Sequence, residues 1–147
     1  MMSRILFIRH AEPERSGDDF GRPLNKEGRK NAEEFRKNNL DKFTFYDLVA
    51  FSYLKRAEDT AKIIFKDTIK KFKYEFRDSI LNEWNPSFEN KEIFIERVGE
   101  AIKKIRKFNL DTVVVSHARF MTVAHQILKP KEIVLGFDFL ESFEAEL

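Results

Sequence analysis

Three short runs, Ile5-Leu6-Phe7-Ile8, Leu48-Val49-Ala50-Phe51 and Val113-Val114-Val115, are apolar at every position. Side chains of a strand point alternately to its two faces, so an unbroken apolar run requires cover on both sides. Between these runs lie segments of helical period. Asn25 is a plausible N-cap for a helix with Gly28, Ala32 and Phe35 on one stripe. Leu54 to about Phe65 carries Ala57, Ala61, Ile64 and Phe65 inward, and a third segment repeats Phe94, Val98, Ala101, Ile102 and Ile105. A short helix from about Phe120 to Leu128 precedes Pro130. Buried strands alternating with helices predict an α/β fold, a three-layer sandwich with a mostly parallel central sheet and helices on both faces.

The chain's 147 residues make one domain, 1–147, the expectation. Apolar residues at 42%, 16 of them Phe, suffice for a core, and charged residues at 35% cover it. A net charge of +2 gives no reason to expect nucleic acid or a membrane as partner. With no cysteine, disulfides, thiolate metal sites and cysteine nucleophiles are excluded. No apolar run approaches the roughly 20 residues of a membrane span, and the start of the sequence lacks a signal-peptide layout, so a cytoplasmic protein is expected. Asn38-Asn39 is read as the end of the first helix, and the second helix is allowed to run toward Phe72. Phe72 to Phe76 is read as a half-exposed strand, Asn82 to Asn90 as a loop, and the tail from Phe137 to Leu147 as a source of an edge strand.

Ligands of open α/β sheets sit beyond the carboxyl ends of the strands. The first strand ends in Arg9-His10, the Val-rich strand in Ser116-His117, and the second is followed by Ser52 and by Arg56 in a helix's first turn. The broken-composition stretch Glu12 to Leu24 suits a loop over this edge. Two imidazoles alone would suit a divalent metal, but each guanidinium within about 4 Å would repel a cation by roughly 4 kcal/mol at an effective dielectric of 20 and attract an anion equally. Phosphate matches the arginine fork. A neutral histidine beside it can take a phosphoryl group onto a ring nitrogen and pass it to water. No metal or cofactor is required. Glycine-rich nucleotide loops and an Asp-x-Asp pair are missing.

Arg9-His10-Ala11-Glu12 resembles the R-H-G-E signature of the histidine phosphatase superfamily, the phosphoglycerate-mutase-like fold. Three further segments agree in order. Arg22-Pro23-Leu24-Asn25-Lys26-Glu27-Gly28 resembles the family's pLt-x-x-G segment, and Ser52, Leu54, Arg56-Ala57 and Thr60-Ala61 resemble S-x-L-x-R-A-x-x-T-A. Val113-Val114-Val115-Ser116-His117-Ala118 resembles V-V-S-H-G. Ala11 and Ala118 stand where glycines are commoner, Tyr53 where a Pro is usual and Asp59 where a Gln is.

The resemblance implies that His10 is the phosphoryl acceptor and that Arg9, Arg56 and His117 hold the phosphoryl oxygens. Ser16 falls where many members place a phosphate-contacting Asn, and Ser16 and Ala118 are taken as substrate-binding positions. Leu81-Asn82-Glu83 fits the family's L-x-E context, which makes Glu83 the candidate general acid, with Glu12 and Asp18 in reserve. His125 is read as a packing or surface residue, and Trp84 as core or pocket wall. The short loop after Glu83 leaves no room for the lids of mutases. Size and the Arg22-Pro23-Leu24 segment resemble the small bacterial phosphohistidine phosphatases. The implied partner is a phosphorylated small molecule or a phosphohistidine protein. The alternatives are a non-catalytic phosphate-binding regulatory module and a mutase-type phosphoryl transferase. Lys62, Lys66, Lys70, Lys71 and Lys73 are noted as a basic surface for an anionic partner.

Overall fold

The computed structural model describes residues 2–68 and 72–147. Five strands, β1 (Arg4–Arg9), β2 (Leu48–Phe51), β3 (Tyr74–Arg77), β4 (Thr112–Ser116) and β5 (Ser142–Glu146), form one sheet in the order β3-β2-β4-β1-β5. The first four are mutually parallel, and β5 lies antiparallel on the β1 edge. Four helices connect them: α1 (Lys26–Phe43), α2 (Lys55–Ile64), α3 (Lys91–Phe108) and α4 (Ala118–Leu128). No helix among the described residues is long and apolar enough to cross a membrane.

The apolar runs are buried because the sheet is covered on both sides. Ile5, Phe7, Ala50 and Val114 join Phe94, Val98 and Ile102 of α3 and Phe120 and Ala124 of α4 in one core. Leu6, Ile8, Val49, Val113 and Val115 join Ala32, Phe43, Ala57 and Ile64 of α1 and α2 in the other. Adjacent residues of each strand thus serve opposite layers, as the two-residue period demands.

Four element boundaries differ from expectation, each for a physical reason. The first helix continues past Asn38-Asn39 to Phe43, where that buried ring packs edge-on against Phe65 at 4.8 Å. Asn39 stays in the helix, its amide donating to Phe35 O at 2.8 Å. The second helix ends at Ile64 in a turn, and the rest of its expected run toward Phe72 includes residues outside those described. The third strand begins two residues later and ends one residue later than expected, in register with Leu48–Phe51, and its side chains are mostly exposed at the sheet edge. The last helix starts at Ala118 rather than Phe120, because a carboxylate from elsewhere caps it, as described below. The tail does add an edge strand, β5.

The Arg22–Gly28 segment owes its sequence to a close crossing. Asn25 caps α1 by accepting from Gly28 N–H at 2.7 Å. A Cβ on Gly28 would stand 2.1 Å from Glu12 O, the backbone of the loop that follows β1. Only glycine lets the helix approach that loop. Gly28→Ala should therefore lower stability by about 2 kcal/mol or more, seen as a lower urea midpoint. Gly99→Ala, in the middle of α3 with open space around its Cβ, should instead be neutral or raise stability by about 0.5–1 kcal/mol. Equal losses in the two variants would contradict the close-crossing account.

Candidate active site

The site is assembled at the carboxyl ends of the three central strands. β1 and β4 pair with Arg9 opposite Ser116, and His10 N–H continues the ladder onto Ser116 O at 3.0 Å. The side chains of His10 and His117 therefore leave neighbouring strands together, and their ring centroids lie 5.1 Å apart, edge to face. The next residue is fixed as well: Ala11 N–H donates to Thr60 Oγ1, which donates in turn to Arg56 O. That chain of bonds ties the turn after β1 to the helix that carries Arg56.

Hydrogen bonding assigns the tautomer of the His10 ring. His10 Nδ1 lies 2.7 Å from Ala11 O, a group that only accepts, so Nδ1 carries the proton and Nε2 keeps its lone pair. His117 Nε2 lies 2.7 Å from Ser52 Oγ, which already accepts from Leu54 N–H at 3.3 Å. In the tautomer in which the hydroxyl hydrogen points to Nε2, His117 Nδ1 is an N–H donor. This donor is buried without a partner, and so is Arg9 Nε. Two unsatisfied donors at one sheet edge match an anion.

Both guanidiniums are turned into the protein. Arg56 is 4% exposed; its Nη1 donates to Asp19 O at 2.7 Å and its Nη2 lies 3.3 Å from Asp19 Oδ1. Arg9 is half-buried, with Nη1 donating to Phe137 O at 2.6 Å. Burial pulls both guanidiniums below their ordinary value, while Asp19 acts in the opposite sense on Arg56 and Glu83 on Arg9. Burial also pushes His10 down to about 3, helped by the positive charges of Arg56 and Arg9. His117 is fully buried and lies well below its usual range for the same reason, with His10 and Arg56 adding to the effect. Both imidazoles are therefore neutral at physiological pH.

Glu83 comes to the same edge as the remote cap of α4. Its Oε2 accepts from Arg119 N–H at 3.1 Å and its Oε1 from Phe120 N–H at 3.0 Å and Trp84 N–H at 3.1 Å. His117, at the N-cap position, makes no side-chain cap bond of its own. Arg97 of α3 holds the backbone before Glu83, donating to Ile80 O at 2.8 Å and Asn82 O at 2.7 Å, and pairs with Glu89 at 2.5 Å. Beside the site opens a cleft of about 230 Å³ whose walls include Asp19, Phe20, Leu54, Asn82, Glu83 and Phe88.

Some sequence candidates stand apart from this group. Ser16 is exposed, and no hydrogen bond joins it to the imidazoles or guanidiniums; Asp19, three residues on, meets Arg56 instead. Asp18 is exposed and accepts from Gly21 N–H in a turn, and Glu12 contributes its backbone to the α1 crossing. Ala118 opens α4 beside His117. His125 is buried and packs edge-on against Phe143 at 4.9 Å, a packing residue. Trp84 stacks on Phe94 at 5.9 Å and borders the core. Of the expected basic surface, Lys62 pairs with Glu58 and Lys66 with Glu33, Lys73 is exposed, and Lys70 and Lys71 lie outside the described residues. Asp19 and Arg97 were missed by sequence reasoning: each lies in a loop or helix with no motif around it.

A family model of the histidine phosphatase superfamily (branch 1) matches residues 5–85, more than half of the chain, including Arg9, His10, Ser52, Arg56 and Glu83. The chain belongs to the histidine phosphatase superfamily. His117 lies beyond the matched span, and its place beside His10 comes from the geometry. No curated protein matches the sequence. Solved structures share the phosphoglycerate-mutase-like fold of this chain. A phosphoglycerate mutase from Bacillus anthracis str. Sterne is 18% identical, with 99% of this chain and 88% of that one covered and a TM-score of 0.84. A protein from Agrobacterium tumefaciens provisionally assigned as the phosphohistidine phosphatase SixA is 16% identical, covers 98% and 91%, and has a TM-score of 0.77. The mycobacterial glucosyl-3-phosphoglycerate phosphatase is 15% identical, covers 97% and 89%, and has a TM-score of 0.76.

The depressed imidazoles link the site to stability. Between about pH 6.5 and 3 the unfolded chain binds protons on His10 and His117 that the folded chain refuses, so stability falls as pH is lowered through that window. Thermal melts should show a shallower acid slope in His10→Gln and in His117→Gln than in the wild type. An unchanged slope in both would contradict the buried neutral pair.

Proposed function

We propose that this histidine phosphatase superfamily member hydrolyses a phosphomonoester or a phosphohistidine through a phosphohistidine intermediate on His10. One observation carries this reading: His10, with the lone pair of Nε2 left open, feels the charge of the Arg56 and Arg9 guanidiniums and faces the ring of His117, whose Nδ1 is unpaired. In the first step Nε2 forms the N–P bond while the bond from phosphorus to the leaving oxygen or nitrogen breaks. The developing charge on the phosphoryl oxygens meets Arg9, Arg56 and His117 Nδ1. The proton of His10 stays on Nδ1 and is donated to Ala11 O, which supports the positive charge of the phosphorylated ring.

Glu83 is assigned to the proton traffic. It borders the cleft in which a leaving group would lie, and its charge acts on both guanidiniums. In its acid form it protonates the leaving atom; as a carboxylate it then takes a proton from the water that attacks phosphorus and releases phosphate from His10. Its three backbone N–H bonds leave one lone-pair site, on Oε2, for that proton. No metal enters either step.

The loop from Glu83 to α3 is short, since the helix begins at Lys91, which favours hydrolysis over retention of a phosphorylated intermediate under a lid. The open edge also suits a phosphohistidine side chain on a protein, one source of substrate alongside small molecules. The activity is read as cytoplasmic. A phosphate-binding module without turnover is the second reading, favoured by the internal partners that Arg56 and Glu83 already have.

Turnover of an aryl phosphate, unaffected by chelator, should fall by at least roughly a thousandfold in His10→Ala while inorganic phosphate still binds. Activity that survives the substitution would overturn the mechanism, and a wild type that binds phosphate without turnover would establish the binding module. Glu83→Gln should slow alkyl phosphates, with their poor leaving groups, by a larger factor than nitrophenyl phosphate. Equal losses on both would assign the acid elsewhere.

A further inference from the structure

The segment between α4 and β5 returns along the outer edge of the site. Arg9 N–H donates to Glu141 O at 3.0 Å and Leu140 N–H to Arg9 O at 3.1 Å, so the β1–β5 ladder continues past the end of β5. Leu140 has φ 62, a left-handed conformation that a branched apolar residue adopts only at steric cost. The turn it makes lays Phe139 over the site. The guanidinium carbon of Arg9 lies 4.1 Å from the Phe139 ring centroid, and the His10 ring centroid lies 5.8 Å from it. Phe137, from the same segment, supplies the carbonyl that accepts from Arg9 Nη1.

The two guanidiniums are therefore supported in different ways. Arg56 has a carboxylate, Asp19, which takes up part of its fork of donors. Arg9 has an aromatic face, which attracts a cation through the ring quadrupole and takes no N–H from it. Arg9 Nε is left buried and unpaired. We propose that Phe139 is a positioning residue: its ring face fixes the Arg9 guanidinium without taking up its Nε and Nη2 donors, which stay available to phosphoryl oxygens while Nη1 is held by Phe137 O. This rests on the phosphatase reading above. The strained Leu140 turn is the device that brings the ring there, and both residues sit in the stretch that carried no sequence motif.

The test compares Phe139→Leu and Phe139→Met, which keep apolar bulk without a ring face, with Phe139→Trp, which keeps the face. Binding of inorganic phosphate is followed by calorimetry, kcat and KM are measured on nitrophenyl phosphate, and thermal melts track folding. Phosphate affinity and kcat/KM should drop by about threefold to tenfold in the Leu and Met variants and stay within about twofold in the Trp variant, with similar melting temperatures in all three. Leu and Met variants that bind phosphate like the wild type overturn the proposal and leave the phosphatase reading standing. So does a Trp variant as weak as they are. A wild type that binds no phosphate overturns both.

Discussion

The pairing of β1 with β4, Arg9 opposite Ser116, is the constraint from which the site follows. The ladder runs one residue further through His10 N–H to Ser116 O, and this alone brings two imidazoles from positions 107 residues apart to 5.1 Å. A slip of one residue would turn His10 to the opposite face of the sheet. The slip is prevented by burial on both sides, because Ile5 and Phe7 would exchange layers with Leu6 and Ile8. The apolar runs that define the fold thus also set the geometry of the site.

Charge is arranged around that geometry with few compensating anions. Two cationic side chains and two desolvated imidazoles share a region in which only Asp19 forms an ion pair with either arginine among the described residues. The imidazoles stay neutral, since burial and the neighbouring cations both oppose protonation. Two buried donors lack partners, and each such group costs about 1–3 kcal/mol relative to a satisfied one. A tetrahedral anion has the oxygens to accept from both. Glu83 does two jobs in this scheme, as cap of the helix that follows His117 and as the carboxylate at the cleft.

The central strands, the order of elements and the convergence of Arg9, His10, Arg56 and His117 were legible in the sequence, because each rests on a short apolar run followed at once by polar residues. What was not legible depends on contacts far along the chain. Asn38-Asn39 looks like a helix end, but the burial of Phe43 against Phe65 outweighs that local preference. The start of α4 is set by Glu83, 35 residues upstream of Ala118, and no local capping residue announces it. Ser16 fell at the expected spacing, yet the loop's path presents Asp19 to Arg56. Phe139 reaches Arg9 only because β5 returns antiparallel along β1, a pairing with weak periodicity of its own.

The most direct test of the central claim is a crystal structure of the protein with orthovanadate, a mimic of the phosphoryl group in transfer. The account predicts vanadium bonded to His10 Nε2, with its oxygens on Arg9, Arg56 and His117 Nδ1. Vanadate seated away from His10, or seated there with either guanidinium turned aside, would contradict it.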